Sequence, residues 1–434
     1  MRAYQSWGRY PRTQHTRVLP VFWRSEPPAL GNITESVLPF ACGRSYGDSC
    51  LNDGGALVDV TGLRRFIAFD EPQALLRCEA GVTLADVLSL MVPRGWFVPV
   101  LPGTQWVSVG GAIANDIHGK NHHRAGTFGA HVTCLELMRS TGERVLCSPE
   151  RNADLFRATI GGLGLTGLIL WAEIRLKPVP GAAIAMEQVR FTCLEEFLDL
   201  SSSDQEYEYT VAWVDCLAQG RRLGRGLFMR GDHASGSPTS SEAQGARLKV
   251  PIDLPSGFIN RTTLAIFNTC YYRSQLRAKL RKTVNYEQFF FPLDRIGEWN
   301  RLYGRRGFFQ YQCVVPDDLG RTIAALLAQV ARSSETPALA VLKRFGSIQS
   351  PGLLSFPRPG ITLAIDFANR GPATLAFLEQ LDRLVVEAGG AVYPAKDARM
   401  SGASFRRFFP AWEAFATHID PKFSSSFWRR VTAA

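Results

Sequence analysis

The chain has 434 residues, 46% hydrophobic and 11% aromatic, which is too long for one ordinary compact core and ample for two. Its 49 Lys and Arg against 39 Asp and Glu give a net charge of +10, a positive field that suits phosphates, nucleic acid or an anionic membrane face without choosing among them. The 9 cysteines are scattered with no CxxC pair, which indicates neither a zinc knuckle nor a disulfide framework and fits a reducing compartment.

The basic N-terminus MRAYQSWGRYPRTQHTR has no apolar run behind it, and no uninterrupted apolar stretch reaches the ~20 residues that span a bilayer. The segment CGRSYGDSCLNDGGALVDV, which starts at Cys42, alternates glycine-rich turns with a short strand over 56–60, a pattern for loops that approach a ligand closely. GVTLADVLSLMVPRG then predicts a helix. Thr83 caps it with Asp86 in the capping-box position, Leu84, Val87, Leu88 and Met91 share one face, and Pro93 and Gly95 end it.

The next stretch, LPGTQWVSVGGAIANDIHGKNHHRAGTFGAHV, has glycine at 103, 110, 111, 119, 126 and 129, and CLELMRSTGERVLCS reads as a hairpin turning at Thr141-Gly142. NADLFRATI predicts a helix, followed by a glycine-rich loop and the strand LILWAEIRLK. Past the PVPG at 178–181 the character changes, and 183–390 reads as a second domain of mixed sheet and helix that includes the strands FFQYQCVVP and ITLAIDF. Within it GDHASGSPTSSEAQG (231–245) predicts a mobile polar loop. The tail from 391 is too short for a third domain and is expected to return to the first.

GLGLTG (162–167) matches the dinucleotide fingerprint GxGxxG, but a helix precedes it and a strand follows, the reverse of the order a Rossmann site needs. His118, His122, His123 and His131 cluster, yet glycines break the segment and its polar neighbours are Asn, Lys and Arg. That set favours an anion, and no metal is expected. There is no GxSxG elbow, P-loop or HExxH. Basic stretches at 221–225 and 277–282 could touch phosphate or form a solvated face, and no nucleic-acid module surrounds them.

The two glycine-rich blocks, together with GGLGLTGLI, resemble the FAD-binding domain of the vanillyl-alcohol-oxidase superfamily. More narrowly, the chain is similar to the FAD-dependent oxidase subunits of decaprenylphosphoryl-β-D-ribose 2′-epimerase, through EYEYTVAWVD, FPLDRIGEWNRLYG, FFQYQCVVP, VLKRFG, LLSFPRPG, YPAKDAR and IDPKF. The resemblance implies an α+β fold. A two-part FAD-binding domain (1–182 and 391–434) would surround an inserted mixed α/β substrate domain (183–390), with glycine-loop N–H groups holding the pyrophosphate. It implies FAD contacts at Cys42, Gly43, Arg44, Ser45, Tyr46, Gly47, Asp48, Ser49, Gly103, Thr104, Ser108, Val109, Gly110, Gly111, Asn115, Asp116, Ile117, His118, Leu170 and Tyr393. Arg44 stands where many superfamily members carry a flavin-linked histidine, so noncovalent FAD is expected.

The implied reaction is oxidation of the ribose 2′-hydroxyl of a polyprenylphosphoryl pentose, with a separate short-chain NAD(P)H-dependent reductase completing the epimerisation. By the same resemblance Lys396, Lys120, His118 and Tyr46 are catalytic candidates, with Gln310, Gln312, Lys343, Trp213 and Thr362 on the substrate side. Gln310 and Gln312, two apart on a strand, face the same way. Thr362, Ala364 and Phe290 replace the asparagine, cysteine and tyrosine of mycobacterial members, which puts the detailed sugar contacts in question. A cytoplasmic location with peripheral contact at the inner membrane face is expected. The competing readings are an alditol or aldonolactone oxidase acting on a soluble sugar, and a flavin-binding partner subunit without turnover.

Overall fold

The structure is a computed structural model that describes residues 4–236, 248–255, 257–318 and 320–433. Of the polar loop expected at 231–245, residues 231–234 instead end the strand Gly226–Ala234, paired with Ala183–Phe191, and from 237 onward the segment lies outside the described residues. Three sheets organise the chain. The smallest is parallel, with Ala56–Asp59 between Arg17–Pro20 and Val37–Phe40. A five-stranded antiparallel sheet runs Phe66–Asp70, Leu75–Glu79, Leu168–Arg175, Val132–Met138, Arg144–Cys147.

Local sequence rules hold well in this half. The helix Leu84–Met91 starts at Thr83, whose hydroxyl accepts from Asp86 N at 3.1 Å while the Asp86 carboxylate accepts from Thr83 N at 3.0 Å, a reciprocal cap that satisfies two orphan donors. Leu84, Val87, Leu88 and Met91 are buried as one face. The chain leaves through Gly95 at φ 82°, a left-handed turn that favours glycine. The helix Ala153–Thr159 and the strand Leu168–Arg175 flank GLGLTG in the non-Rossmann order.

The third sheet is antiparallel and eight-stranded. In spatial order it runs Lys279–Asn285, Ala183–Phe191, Gly226–Ala234, Tyr209–Val214, Pro337–Phe345, Gly360–Ala368, Phe308–Val315, Ala391–Val392. Its two faces have different tasks because side chains alternate along a strand. Phe309, Tyr311 and Cys313 join the core built with Ile323, Leu326, Leu327 and Val330 of helix Arg321–Arg332 and Leu378, Leu381 and Val385 of helix Pro372–Glu387. Gln310 and Gln312 face the other way, into a cavity.

The last residues run against the first. Val37 N donates to Lys422 O at 2.9 Å, Ser424 N donates to Val37 O at 3.1 Å, and Ser426 N donates to Leu51 O at 2.7 Å. Arg430 bridges Asp48 at 2.8 Å and Asp397 at 2.9 Å. The edge strand Ala391–Val392 is bonded to Phe308–Val315, so the chain crosses between the expected second and third segments inside the eight-stranded sheet. Among the described residues no helix is long and apolar enough to cross a membrane.

Candidate active site

A cavity of about 740 Å³ lies between the glycine-rich loops and the inner face of the eight-stranded sheet, within the size range of cofactor sites. Loop residues 41–46, 101–104 and 107–120 contribute to one wall, Trp213, Gln310, Gln312, Lys343 and Ala364 of the sheet line the other, and Tyr393, Ala395 and Lys396 join them. The join is anchored by backbone: Tyr46 N donates to Ala395 O at 2.9 Å, Tyr393 N donates to Gln312 O at 2.9 Å, and Tyr393 OH donates to Asn115 O at 2.8 Å.

Two polar networks cross the cavity. In the first, Gln312 Nε2 donates to His118 Nε2 at 2.9 Å and to Thr362 Oγ1 at 3.0 Å, and Lys343 Nζ lies 3.2 Å from His118 Nδ1. A neutral imidazole that accepts at Nε2 carries its proton on Nδ1, facing the Lys343 amine. Burial, then Lys343 and Lys396, push His118 well below the ordinary imidazole range, so the neutral ring is the stable form. In the second network, Gln310 Nε2 donates to Asp366 Oδ1 at 2.5 Å, and Asp366 is the cross-strand neighbour of Gln310. Lys396 Nζ sits 5.4 Å from the centre of the Tyr46 ring.

Lys120, Lys343 and Lys396 all line this one cavity. Burial pushes Lys120 down to about 7. It pushes Lys343 well below the lysine range, with Lys396 and Lys120 adding to the effect. Lys396 is lowered by burial too, but Asp366 opposes that shift. Asp366 itself is raised by burial. Three buried lysines facing one space either shed protons or are held charged by an anionic occupant, so one cavity offers both a neutral amine and an ammonium.

The loop wall fits a phosphate-bearing cofactor. Gly43 has φ 61°, and among the described residues the N–H groups of Gly43, Arg44 and Ser45 donate no hydrogen bond. A Cβ at Gly103 would meet nothing within 4 Å, leaving room for a ligand against the backbone. Arg44 Nε, Ser49 Oγ, Gln310 Oε1 and Gln312 Oε1 are buried without partners. Among the described residues no His, Cys, Asp and Glu cluster could hold a metal ion.

Residues 34–148 match the family described as FAD binding domain. Over 412 residues, 91% of this chain and 89% of the relative, the chain is 38% identical to decaprenylphosphoryl-beta-D-ribose oxidase of Mycolicibacterium smegmatis. The chain belongs to the decaprenylphosphoryl-β-D-ribose oxidase family. As a member it is an FAD-dependent oxidoreductase with a vanillyl-alcohol-oxidase-type fold that mixes helices and strands. An uncharacterized protein of Streptomyces coelicolor is 33% identical over 81% of this chain and 100% of its own length. A putative D-arabinono-1,4-lactone oxidase of Neurospora crassa is 32% identical over only 34% of this chain and 26% of its own length.

For this oxidase-family chain, most of the expected cofactor residues do line the cavity: Cys42, Gly43, Arg44, Ser45, Tyr46, Ser49, Gly103, Thr104, Ser108, Gly110, Gly111, Asn115, Ile117, His118 and Tyr393. Six expected site residues stand behind it. Gly47 packs on the Asp397 backbone, and Asp48 pairs with Arg430. Asp116 accepts from Gly129 N at 2.8 Å and Ser355 Oγ at 2.5 Å. Val109 and Leu170 are core residues, and the cavity wall at the latter strand is Leu168 and Ile169. Thr362 is turned to Gln312 and to Cys313 O, and so supports a lining residue rather than lining the cavity itself.

Sequence reading does not single out Asp366, Trp7, Asp294 or Trp299, although the last three line the cavity. For Asp366 the signal is period two: it lies two past Ala364, which faces the cavity. His122 and His123 are packing groups. The His122 ring lies 4.4 Å from Phe345 and its Nδ1 accepts from Gly346 N, while His123 Nε2 lies 2.8 Å from Tyr207 O.

Proposed function

We propose that this chain oxidises the 2′-hydroxyl of a polyprenylphosphoryl-β-D-ribose to the 2′-ketone, the first half of epimerisation to the arabinose form. The observation that carries this is the reach of the similarity. It spans 91% of the chain and so includes the substrate sheet, whereas the lactone-oxidase match spans 34%. The FAD-binding domain is assigned to 1–182 and 391–434 around a substrate domain at 183–390. The contacts of Lys422, Ser424 and Arg430 with Val37 and Asp48 support that assignment.

Bound FAD supplies the acceptor for the hydride that leaves C2′. Gln310 and Gln312 offer unpaired amide oxygens to sugar hydroxyls from one strand face. Tyr46, whose phenol burial holds well above its usual range, stays protonated and donates. Lys120 Nζ, at about 7, carries a lone pair in a large fraction of molecules at neutral pH and takes the hydroxyl proton. Lys396, supported by Asp366, keeps a positive charge where electrons accumulate. His118 is held by Gln312 and Lys343 and orients them. A short-chain NAD(P)H-dependent reductase acting at the inner membrane face would return the hydride from the opposite side.

Anaerobic mixing tests the reading. Polyprenylphosphoryl ribose is expected to bleach the flavin promptly. Bleaching only by free alditols or lactones would support the soluble-sugar oxidase instead, and no bleaching by either would leave a flavin-binding subunit without turnover.

The FAD is expected to be noncovalent. Arg44 occupies the linking position, 4.2 Å from the Trp7 ring, and His118, the only histidine lining the cavity among the described residues, has both ring nitrogens engaged. Acid precipitation should leave the yellow colour in the supernatant; a yellow pellet would contradict this.

A further inference from the structure

Large apolar side chains are not scattered evenly over this surface. Of the twelve that lie exposed among the described residues, six fall between 248 and 271: Leu248, Ile252, Phe258, Ile266, Phe267 and Tyr271. The helix Arg261–Ser274 buries only Leu264 and Asn268, while Ile266 and Phe267 are 61% and 57% exposed. A helix that turns its larger apolar face to solvent is the inverse of an ordinary surface helix.

These residues border the cavity on two sides. Phe267 and Tyr271, stacked with ring centres 5.9 Å apart, are themselves cavity-lining. Leu248 and Lys249 pair with Ile296 and Gly297, which line it from the other side. The charge of the same segment is one-sided. Residues 248–285 contain seven basic residues (Lys249, Arg261, Arg273, Arg277, Lys279, Arg281, Lys282) and one acid, Asp253. Arg273, Arg277, Lys279 and Lys282 are exposed.

We infer that this cavity rim, helix Arg261–Ser274 with Leu248, Lys249, Ile252, Phe258 and the segment at 277–282, docks on an anionic lipid bilayer and opens the site to the membrane. Exposed aromatic and aliphatic groups flanked by basic residues are the chemistry that an interface of acyl chains and anionic headgroups recognises. The placement rests on the reading above of a lipid-linked substrate. A polyprenyl chain could then stay in the bilayer while its sugar enters past Phe267 and Tyr271. A soluble acidic protein would complement the charge but leave Phe258 and Ile266 without a reason to be apolar.

Cosedimentation of the holoenzyme with vesicles tests this. Binding to phosphatidylcholine vesicles containing phosphatidylglycerol is expected to exceed binding to pure phosphatidylcholine by about tenfold or more, since each basic residue near an anionic surface contributes about fivefold. The double variant Phe258→Glu with Ile266→Glu should lose about tenfold or more in binding to both. Lys279→Glu with Lys282→Glu should remove the preference for phosphatidylglycerol. All are expected to keep wild-type FAD content and thermal unfolding, because the four side chains are exposed. Failure of the wild type to bind either vesicle, or wild-type binding by the Phe258/Ile266 double variant, would overturn the inference. So would loss of binding to a short-chain reductase in these variants with vesicle binding unchanged. Flavin bleaching by polyprenylphosphoryl ribose in detergent is read separately: its absence would sink the substrate reading while leaving vesicle binding intact.

Discussion

Replacing Lys396 with methionine is expected to slow anaerobic flavin reduction by polyprenylphosphoryl ribose by about 10²- to 10³-fold, the usual cost of removing one preorganised charge from a buried site. Methionine keeps most of the volume, so the FAD content should change little. The pH dependence gives the mechanism away. If Lys396 acts as the cation, the rate constant for reduction falls as pH rises through its pKa. Asp366 raises that pKa, so Asp366→Asn should move the alkaline limb to lower pH. Lys120→Met should instead remove the acid limb, because Lys120, near 7, is active only when deprotonated. Stopped-flow absorbance across a pH series measures all three. An unshifted alkaline limb in Asp366→Asn would assign that limb to another group.

The second large effect is on the assembly of the site. Gly47→Ala is expected to cost about 3 kcal/mol or more in stability and to yield protein poor in FAD, read by thermal unfolding and by the ratio of flavin to protein absorbance. A Cβ at Gly47 would lie 1.7 Å from Asp397 O. The backbone there cannot simply retreat: Asp397 accepts from Met400 N at 3.0 Å and from Arg430 Nη2 at 2.9 Å. The strain must push 46–49 away from 395–398, parting the Tyr46–Ala395 hydrogen bond that closes the cavity. Gly54→Ala is the control. Its φ of 68° but open surroundings predict a loss of only about 1–2 kcal/mol, with FAD retained.

What the sequence made legible was local. The Thr83–Asp86 cap, the shared face of Gln310 and Gln312 and the reversed order around GLGLTG depend on residues a few positions apart, and all three appear in the structure. Most of the glycine-block residues matched by resemblance face the cavity, although some of the glycines serve packing as well, as Gly47 does against Asp397 O and Gly110 against Ala80 O. The side-chain partners were not legible. His118 meets Lys343 across 225 positions and Gln312 across 194, and no periodicity reports such a contact. Thr362, a strand residue in the expected substrate set, spends its hydroxyl on Gln312 and Cys313. Leu170 is one residue past the wall formed by Leu168 and Ile169 and is buried instead in the small core with Val21, Val37 and Val58, a placement set by distant packing partners.

The central claim, hydride removal from C2′ of a lipid-linked ribose, is tested most directly with polyprenylphosphoryl ribose carrying deuterium at C2′. Anaerobic bleaching should be slower for that substrate than for the unlabelled one, and the recovered product should be a ketone that has lost the label. Equal bleaching rates with the deuterium retained, or an isotope effect from a label at another ring carbon instead, would contradict it.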